Sequence, residues 1–276
     1  MLDTGSSVQG ALHSRADTAL NHHRAVERVI STMHQRLDQN FSLEEMADIA
    51  YMSPFHFNRI FRQLTGVPPC QFMSALRLES ARRLLLTTKL SVTDVCFEVG
   101  YNSLGTFIRR FTGLLGLSPR SMRRLAGSPA SLPARLAAPE PVAELRALRP
   151  GLSGRISAPA DFGGAIFIGL FEDPIPQGRP IGCAVLGTPG AFRVAPVPDG
   201  SYHLFAAGLT GFGEAGGLFL YETALRAGGQ RILLRDGRTE DPADLELRQA
   251  LPTDPPILMT FPAWTDRKPA PREQEH

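Results

Sequence analysis

The stretch SLEEMADIAYMSPFHFNRIFRQLTG, residues 42–66, decides the fold of the first half of this chain. Ser42 followed by Glu45 is a capping box, in which the serine hydroxyl accepts a backbone N–H and the glutamate reaches back. Apolar residues then recur at helical spacing as far as Ala50. A second start signal, Ser53 with Pro54 at the first helical position, follows at once. The stretch therefore predicts two short helices joined by a tight turn.

The second predicted helix has one apolar face and one polar face. Its inward positions hold four apolar residues, Phe57, Ile60, Phe61 and Leu64. Its outward stripe holds an aromatic, an amide and two guanidinium groups, Phe55, Asn58, Arg59 and Arg62. In a major groove Arg binds guanine and Asn binds adenine through paired hydrogen bonds, so we interpret this stripe as base-reading. An ordinary surface helix of an all-α domain is the alternative.

The same pattern occurs again about fifty residues later. Ser91 and Cys96 stand where the first unit has Ser42 and Ala47, and the extra residue of the second unit falls in its turn. Two helix-turn-helix units in tandem favour DNA binding over the surface-helix alternative. The base-reading positions of the second unit are Gly105, Ile108 and Arg109. Because only Arg109 is a strong hydrogen-bond donor, we expect the second unit to discriminate less between bases.

Residues 22–126 resemble the DNA-binding region of the AraC/XylS transcription regulators. The linking segment carries that family's RLxxAxxLL run at residues 77–85, and the second unit carries its GYxSxxxFxRxFxxxxGxSPxxxR run at residues 100–123. The resemblance implies seven helices and a double-stranded DNA operator as partner. It also implies contact with RNA polymerase if the protein is an activator.

The segment between the two units predicts a helix of about 25 Å that spaces the two recognition helices. Successive major grooves on one face of DNA lie ~34 Å apart, so both recognition helices can enter the duplex. The weaker candidates for phosphate contact are the serine caps and the arginines near the helix ends, Ser42, Ser53, Arg82, Arg83, Ser91, Arg120, Arg123 and Arg124.

Charge is distributed unevenly although the net charge of the 276 residues is only +2. Residues 22–126 contain 14 Lys and Arg against 8 Asp and Glu, whereas residues 127–276 contain 14 against 17. The basic half is the half with the recognition helices, as phosphate binding requires. We find no apolar run long enough for a membrane span and no signal peptide, and we expect a cytoplasmic protein.

From residue 151 the pattern changes to short apolar segments separated by Gly, Pro and Asp. This pattern predicts an antiparallel β-sandwich of about seven strands. The turn Pro198-Asp199-Gly200 resembles that of carboxypeptidase-regulatory or transthyretin-like domains. The predicted organisation is an arm (1–21), the helix-turn-helix domain (22–126), a Pro/Ala-rich linker (127–150), the sandwich (151–266) and a tail (267–276). We expect the linker to leave the sandwich without rigid coupling to the recognition helices.

The sequence predicts no catalytic constellation, cofactor site or metal site, because its three cysteines and seven histidines are scattered. We therefore expect a transcription regulator that is not an enzyme. Its C-terminal domain senses a small-molecule effector, through the Gly-rich loop at 211–217, or mediates assembly. A DNA-tethered adaptor that recruits partners and an enzyme domain delivered to DNA are the alternatives. The sequence leaves open the operator, the direction of regulation and whether the chain forms a homodimer.

Overall fold

Seven helices make up the first half of the chain in the computed structural model. The structure describes residues 5–126, 151–194, 196–210, 224–236, 238–239 and 242–259. The helices are α1 (Gly5–Gln35), α2 (Leu43–Ile49), α3 (Pro54–Thr65), α4 (Pro69–Thr87), α5 (Val92–Glu98), α6 (Leu104–Leu115) and α7 (Pro119–Ala126). The helical part of the predicted fold is thereby confirmed.

Helix α1 begins earlier than the sequence analysis predicted. It starts at Gly5, so residues 5–21, which we expected to form an arm, belong to the helix. Nothing in this segment breaks a helix after Gly10, since it contains no proline and several good helix formers. The polar composition of the segment concealed the helix, because an apolar face is the main signal of helix periodicity.

The described chain divides into two compact units, and the boundary lies within α4. One unit comprises residues 1–77 and 251–255, and the other comprises residues 78–250 and 256–276. The predicted linker (127–150), the Gly-rich loop (211–217) and the tail (267–276) lie outside the described residues.

In the first unit, α1, α2, α3 and the start of α4 share one aromatic core. Phe57 and Phe61 of α3 are fully buried, and the Phe61 ring meets the Phe72 ring edge-on at 5.4 Å between centroids. Arg77 joins the end of this core to the α1–α2 connection. Its Nε donates to the Leu37 carbonyl oxygen at 2.9 Å, and its Nη2 donates to the Gln39 carbonyl oxygen.

The turn between the two helices of each repeat has the same hydrogen-bond pattern. After α2, the Tyr51 N–H donates to the Asp48 carbonyl and the Met52 N–H to the Ala47 carbonyl, both at 3.0 Å. After α5, Gly100 and Tyr101 donate to the equivalent carbonyls of Phe97 and Cys96. These are Schellman caps, whose first residue past the helix takes a left-handed conformation. The two repeats therefore use one local structure.

In the second unit, α5, α6 and α7 bury the same kind of core as the first repeat. The fully buried residues include Val95, Cys96, Phe107, Phe111 and Leu115. The Phe107 ring lies 5.5 Å from that of Phe111 and 5.4 Å from that of Tyr101. The spacing of apolar residues that defined the repeat in the sequence is thus the spacing of its core.

The C-terminal part is a predominantly antiparallel β region. Its strands are β1 (Ser153–Ser157), β2 (Ala165–Phe171), β3 (Gln177–Gly178), β4 (Gly182–Leu186), β5 (Gly190–Arg193), β6 (Gly200–Leu209), β7 (Leu225–Arg235), β8 (Arg238–Thr239), β9 (Leu245–Glu246) and β10 (Leu258–Met259). The largest sheet has the order β4-β2-β6-β7-β8 and is entirely antiparallel. A second sheet, β5-β1-β9, shares its core through Ile156, Phe192 and Leu245.

The β region departs from the predicted sandwich of about seven antiparallel strands. The described residues form ten strands in three sheets, and both the β1–β9 and the β3–β10 pairs are parallel. Strand β1 (SGRIS) has no clear strand signal in the sequence, because its one buried apolar side chain, Ile156, stands among polar and small residues. The structure does not confirm the resemblance to transthyretin-like domains.

The β region packs directly against the second repeat, contrary to the expected lack of rigid coupling. Strands β3 and β10 both contact α6. Arg82 of α4 is 2% exposed, and its Nη1 donates to the Ile257 carbonyl oxygen, next to β10, at 2.7 Å. These contacts lie inside the second compact unit, so the second repeat and the β region form one folded body.

Candidate nucleic-acid interface

Helix α3 presents the predicted outward stripe to solvent. Ser53 is its N-cap, and its hydroxyl accepts the His56 N–H at 3.4 Å. The Phe55 ring is 83% exposed, which is unusual for so large an apolar side chain. Arg59 and Arg62 are exposed, and Asn58 is half-buried. The helix contains no acidic residue, so its outer face combines positive charge with hydrogen-bond donors.

Arg59 is oriented by a neighbour that the sequence analysis missed. Its Nη2 lies 3.3 Å from Nδ1 of His56, one turn earlier. The His56 ring in turn meets the His22 ring of α1 at 5.5 Å, in an edge-on arrangement. The i,i+3 spacing of His56 and Arg59 was a signal available in the sequence. Two histidines and one arginine therefore connect α1 to the N-terminal half of α3.

Helix α6 presents a simpler surface at the equivalent positions. Ser103 caps it, with its hydroxyl accepting the Thr106 N–H. Arg109 is exposed, Ile108 is 38% exposed, and a Cβ added to Gly105 would meet nothing within 4 Å. At these three positions α6 thus offers one guanidinium group, one apolar side chain and an open backbone position at Gly105, while the neighbouring Arg110 is exposed as well.

The arginines proposed for phosphate contact differ in accessibility. Arg83, Arg120 and Arg124 are exposed, and Arg123 is half-buried with Nε and Nη2 away from solvent. The prediction that Arg82 contacts phosphate is wrong. Arg82 is buried and donates to the Ile257 carbonyl oxygen, so it has a structural role and does not reach the surface. We therefore no longer count Arg82 among the phosphate candidates.

The serine caps also differ in their surroundings. In the capping boxes of α2 and α5, Ser42 lies beside Glu45 and Ser91 beside Asp94. The hydrogen bonds from the Ser91 hydroxyl and N–H lower the pKa of the Asp94 carboxyl. A carboxylate next to the cap repels phosphate, so Ser42 and Ser91 are weaker candidates than Ser53, whose helix has no acidic first turn.

Other kinds of site find little support in the described part of the chain. No cluster of three or more His, Cys, Asp or Glu residues there has the arrangement of a metal site. Cys70 and Cys183 are exposed, whereas Cys96 is buried and its Sγ lies 3.7 Å from the Tyr101 carbonyl oxygen. Burial raises the pKa of the Cys96 thiol. None of the described helices is long and apolar enough to span a membrane.

The similarity of this chain to known proteins lies in its helical part. A family model described as a helix-turn-helix domain matches residues 46–125. An uncharacterised HTH-type transcriptional regulator of Haemophilus influenzae is 34% identical over 116 residues, covering 42% of this chain and 37% of the relative. The XylDLEGF operon transcriptional activator of Pseudomonas putida is 28% identical over 123 residues, covering 44% of this chain and 36% of the relative.

Among solved structures, the DNA-binding domain of AdpA, a global transcriptional factor, in complex with a target DNA is 35% identical. The match covers 39% of this chain and 96% of that domain, with a TM-score of 0.36. The chain spans a little over a third of the length of the curated relatives that it matches. The similarity to these curated relatives therefore concerns about a third of their length, and the rest of each relative is unmatched.

Proposed function

We propose that this protein is an AraC-type, sequence-specific regulator of transcription that binds double-stranded DNA, because residues 46–125 match a family model described as a helix-turn-helix domain. The observation that carries the proposal is the pair of capped helices, α3 and α6, that repeat one local structure. Each has a buried aromatic face and an outer face that contains arginine and no acid. Such a pair suits entry into two major grooves.

In the first repeat, α3 reads bases. Its reading residues are Phe55, Asn58, Arg59 and Arg62. Arg59 and Arg62 each fork onto a guanine, Asn58 pairs with an adenine edge, and the Phe55 ring packs on a thymine methyl group. The contact between His56 and Arg59 restricts the arginine before DNA binds, which lowers the entropy lost on binding.

In the second repeat, α6 contributes less to discrimination. Gly105 and Ile108 offer no side-chain hydrogen bond, so Arg109 is the reading residue and Ile108 meets at most a thymine methyl group. The exposed arginines Arg83, Arg120 and Arg124 and the N-cap Ser53 hold phosphates. Phosphate contacts fix the register of the protein on the duplex without reading sequence.

The β region supplies the regulatory input. Its packing against α6 and the bond from Arg82 to the Ile257 carbonyl give it a direct mechanical connection to the second repeat. A small-molecule effector that shifts β10 therefore changes the packing that supports α6, and with it the affinity for the DNA segment that α6 contacts. Homodimer formation through the β region and, for an activator, contact with RNA polymerase are further parts of this proposal.

The test begins with selection of a preferred duplex from a random-sequence pool by the full-length protein. Arg59→Ala should weaken binding to that duplex by about 1–3 kcal/mol and relax the preference at one base pair. Arg124→Ala, the matched control, should weaken binding to the selected and a scrambled duplex alike and reduce the salt dependence by about one unit. Failure to enrich any sequence would refute the proposal, as would equal losses on both duplexes for Arg59→Ala.

A further inference from the structure

Tyr51 has a backbone conformation and an exposure that rarely occur together. Its φ is +55°, and its side chain is 88% exposed. It is the first residue past α2 in the Schellman cap, where the second repeat has Gly100 at φ +79°. A left-handed conformation brings Cβ close to the following carbonyl oxygen, which is why glycine is usual at this position. The tyrosine is therefore strained where a glycine would not be.

Folding does not explain why an aromatic residue stands here. The exposed ring buries almost no apolar surface, and its close partner among the described residues is Arg28 of α1, whose guanidinium carbon lies 5.6 Å from the ring centre. Arg28 is itself exposed, and its Nε donates to the Ile49 carbonyl at the end of α2. Within the described residues Arg28 forms no ion pair with a carboxylate. A strained residue without a folding role points to function.

Tyr51 lies in the turn just before α3, the helix proposed to read bases. Tyr51 comes two residues before Ser53, the N-cap of α3, and four before the exposed Phe55. In a helix-turn-helix the N-terminal residues of the second helix meet the bases while the first helix crosses the phosphate backbone. The turn between the two helices consequently lies at the edge of the groove, beside the phosphates.

We propose that Tyr51 and Arg28 form a clamp on the sugar-phosphate backbone that flanks the bases read by α3. The Tyr51 hydroxyl donates to a phosphate oxygen and its ring packs against the deoxyribose. The Arg28 guanidinium, held over the ring and at the α2 end, supplies the positive charge. This inference rests on the proposed DNA-binding function and adds to it two contacts that carry no sequence preference.

The experiment measures stability and DNA binding of the same full-length variants. Tyr51→Gly should raise the thermal midpoint by about 2–4 °C, because the strain is relieved. The same change should weaken binding by about tenfold, to the selected duplex and to a scrambled duplex alike, because a charge-assisted hydrogen bond is lost. Arg28→Gln should weaken both complexes and reduce the slope of log affinity against log salt by about 0.9, whereas Tyr51→Phe should leave that slope unchanged.

Asp236→Gly is the matched control. Asp236 is the other described non-glycine residue with positive φ, at +52°, and it lies in the turn between β7 and β8. Its replacement relieves the same kind of strain and should leave DNA affinity unchanged. Unaltered affinity of Tyr51→Gly would overturn the clamp, and so would a loss of affinity that accompanies a lower midpoint. If the unaltered protein selects no duplex at all, the proposed function fails instead.

Discussion

Replacing the buried Arg82 by methionine tests how firmly the β region is attached to the second repeat. The change keeps most of the side-chain volume and removes the guanidinium group. The lost bond from Nη1 to the Ile257 carbonyl is charge-assisted and buried, which corresponds to about 1.5–3 kcal/mol. Glu79, whose Oε1 lies 3.7 Å from Nη2 of Arg82, also loses its ion partner, so a total of about 2–4 kcal/mol is expected.

The matched control is Arg83→Met, which removes the same group from an exposed position on the same helix. An exposed substitution of this kind should change stability by no more than about 0.5 kcal/mol. Urea unfolding followed by circular dichroism gives the two free energies of unfolding. Hydrogen exchange gives a local readout, because the Leu258 N–H is bonded to the Pro176 carbonyl and should exchange faster in Arg82→Met alone.

Equal effects of the two substitutions, with unchanged exchange at Leu258, would refute the argument. Arg82 would then make no net contribution to holding β10 in place. The regulatory route proposed from the β region to α6 would lose its best-defined bond, and its support would be reduced to the packing of β3 and β10.

Two further outcomes follow from titratable groups. The pKa of Asp94 lies below its ordinary value of 3.8 in the folded protein. The Asp94 carboxylate therefore stabilises the fold above pH 3.8, and this stabilisation is lost as the pH falls through the lowered pKa. Urea unfolding should therefore find Asp94→Asn less stable than the unaltered protein at neutral pH, with a difference in unfolding free energy that closes below about pH 4. A difference that stays constant down to low pH would contradict this role of the Asp94 carboxylate. Buried Cys96, whose thiol pKa is raised, should react with a thiol reagent only on unfolding, whereas exposed Cys70 reacts at once. Desolvation also raises the pKa of the Cys183 thiol, so Cys183 should react more slowly than Cys70. Fast reaction of all three thiols would contradict the buried position of Cys96.

Local signals in the sequence were sufficient to predict the helix-turn-helix segments and the exposed face of α3. The capping boxes at Ser42 and Ser91 and the Ser53-Pro54 start each involve only a few neighbouring residues, and the repeat shows these local signals twice. The structure contains all of these caps. The stripe of α3 is exposed because the apolar positions opposite it were correctly assigned to the core. Such features are predictable because their partners are near in the chain.

The features that the sequence analysis missed depend on partners that are distant in the chain. Arg82 looked like a surface arginine of α4 because its acceptor is 175 residues away. The parallel pairing of β3 with β10 joins residues 177–178 to 258–259 and has no local signal either. Tyr51 is an intermediate case, because its equivalence to Gly100 follows from the hydrogen bonds of the two turns and its strain is shown only by the dihedral angle.

The distance between Arg82 and Ile257 also has a consequence for synthesis on the ribosome. Translation at about 5–20 residues per second means that Ile257 is made roughly 9–35 s after Arg82. Helices form within about a microsecond, so the helices of the second repeat can form long before the Ile257 carbonyl exists. During that interval a nascent chain carries α6 without strand β10, which packs against it in the folded protein. The proposed regulation through this contact can therefore begin only after Ile257 has been made.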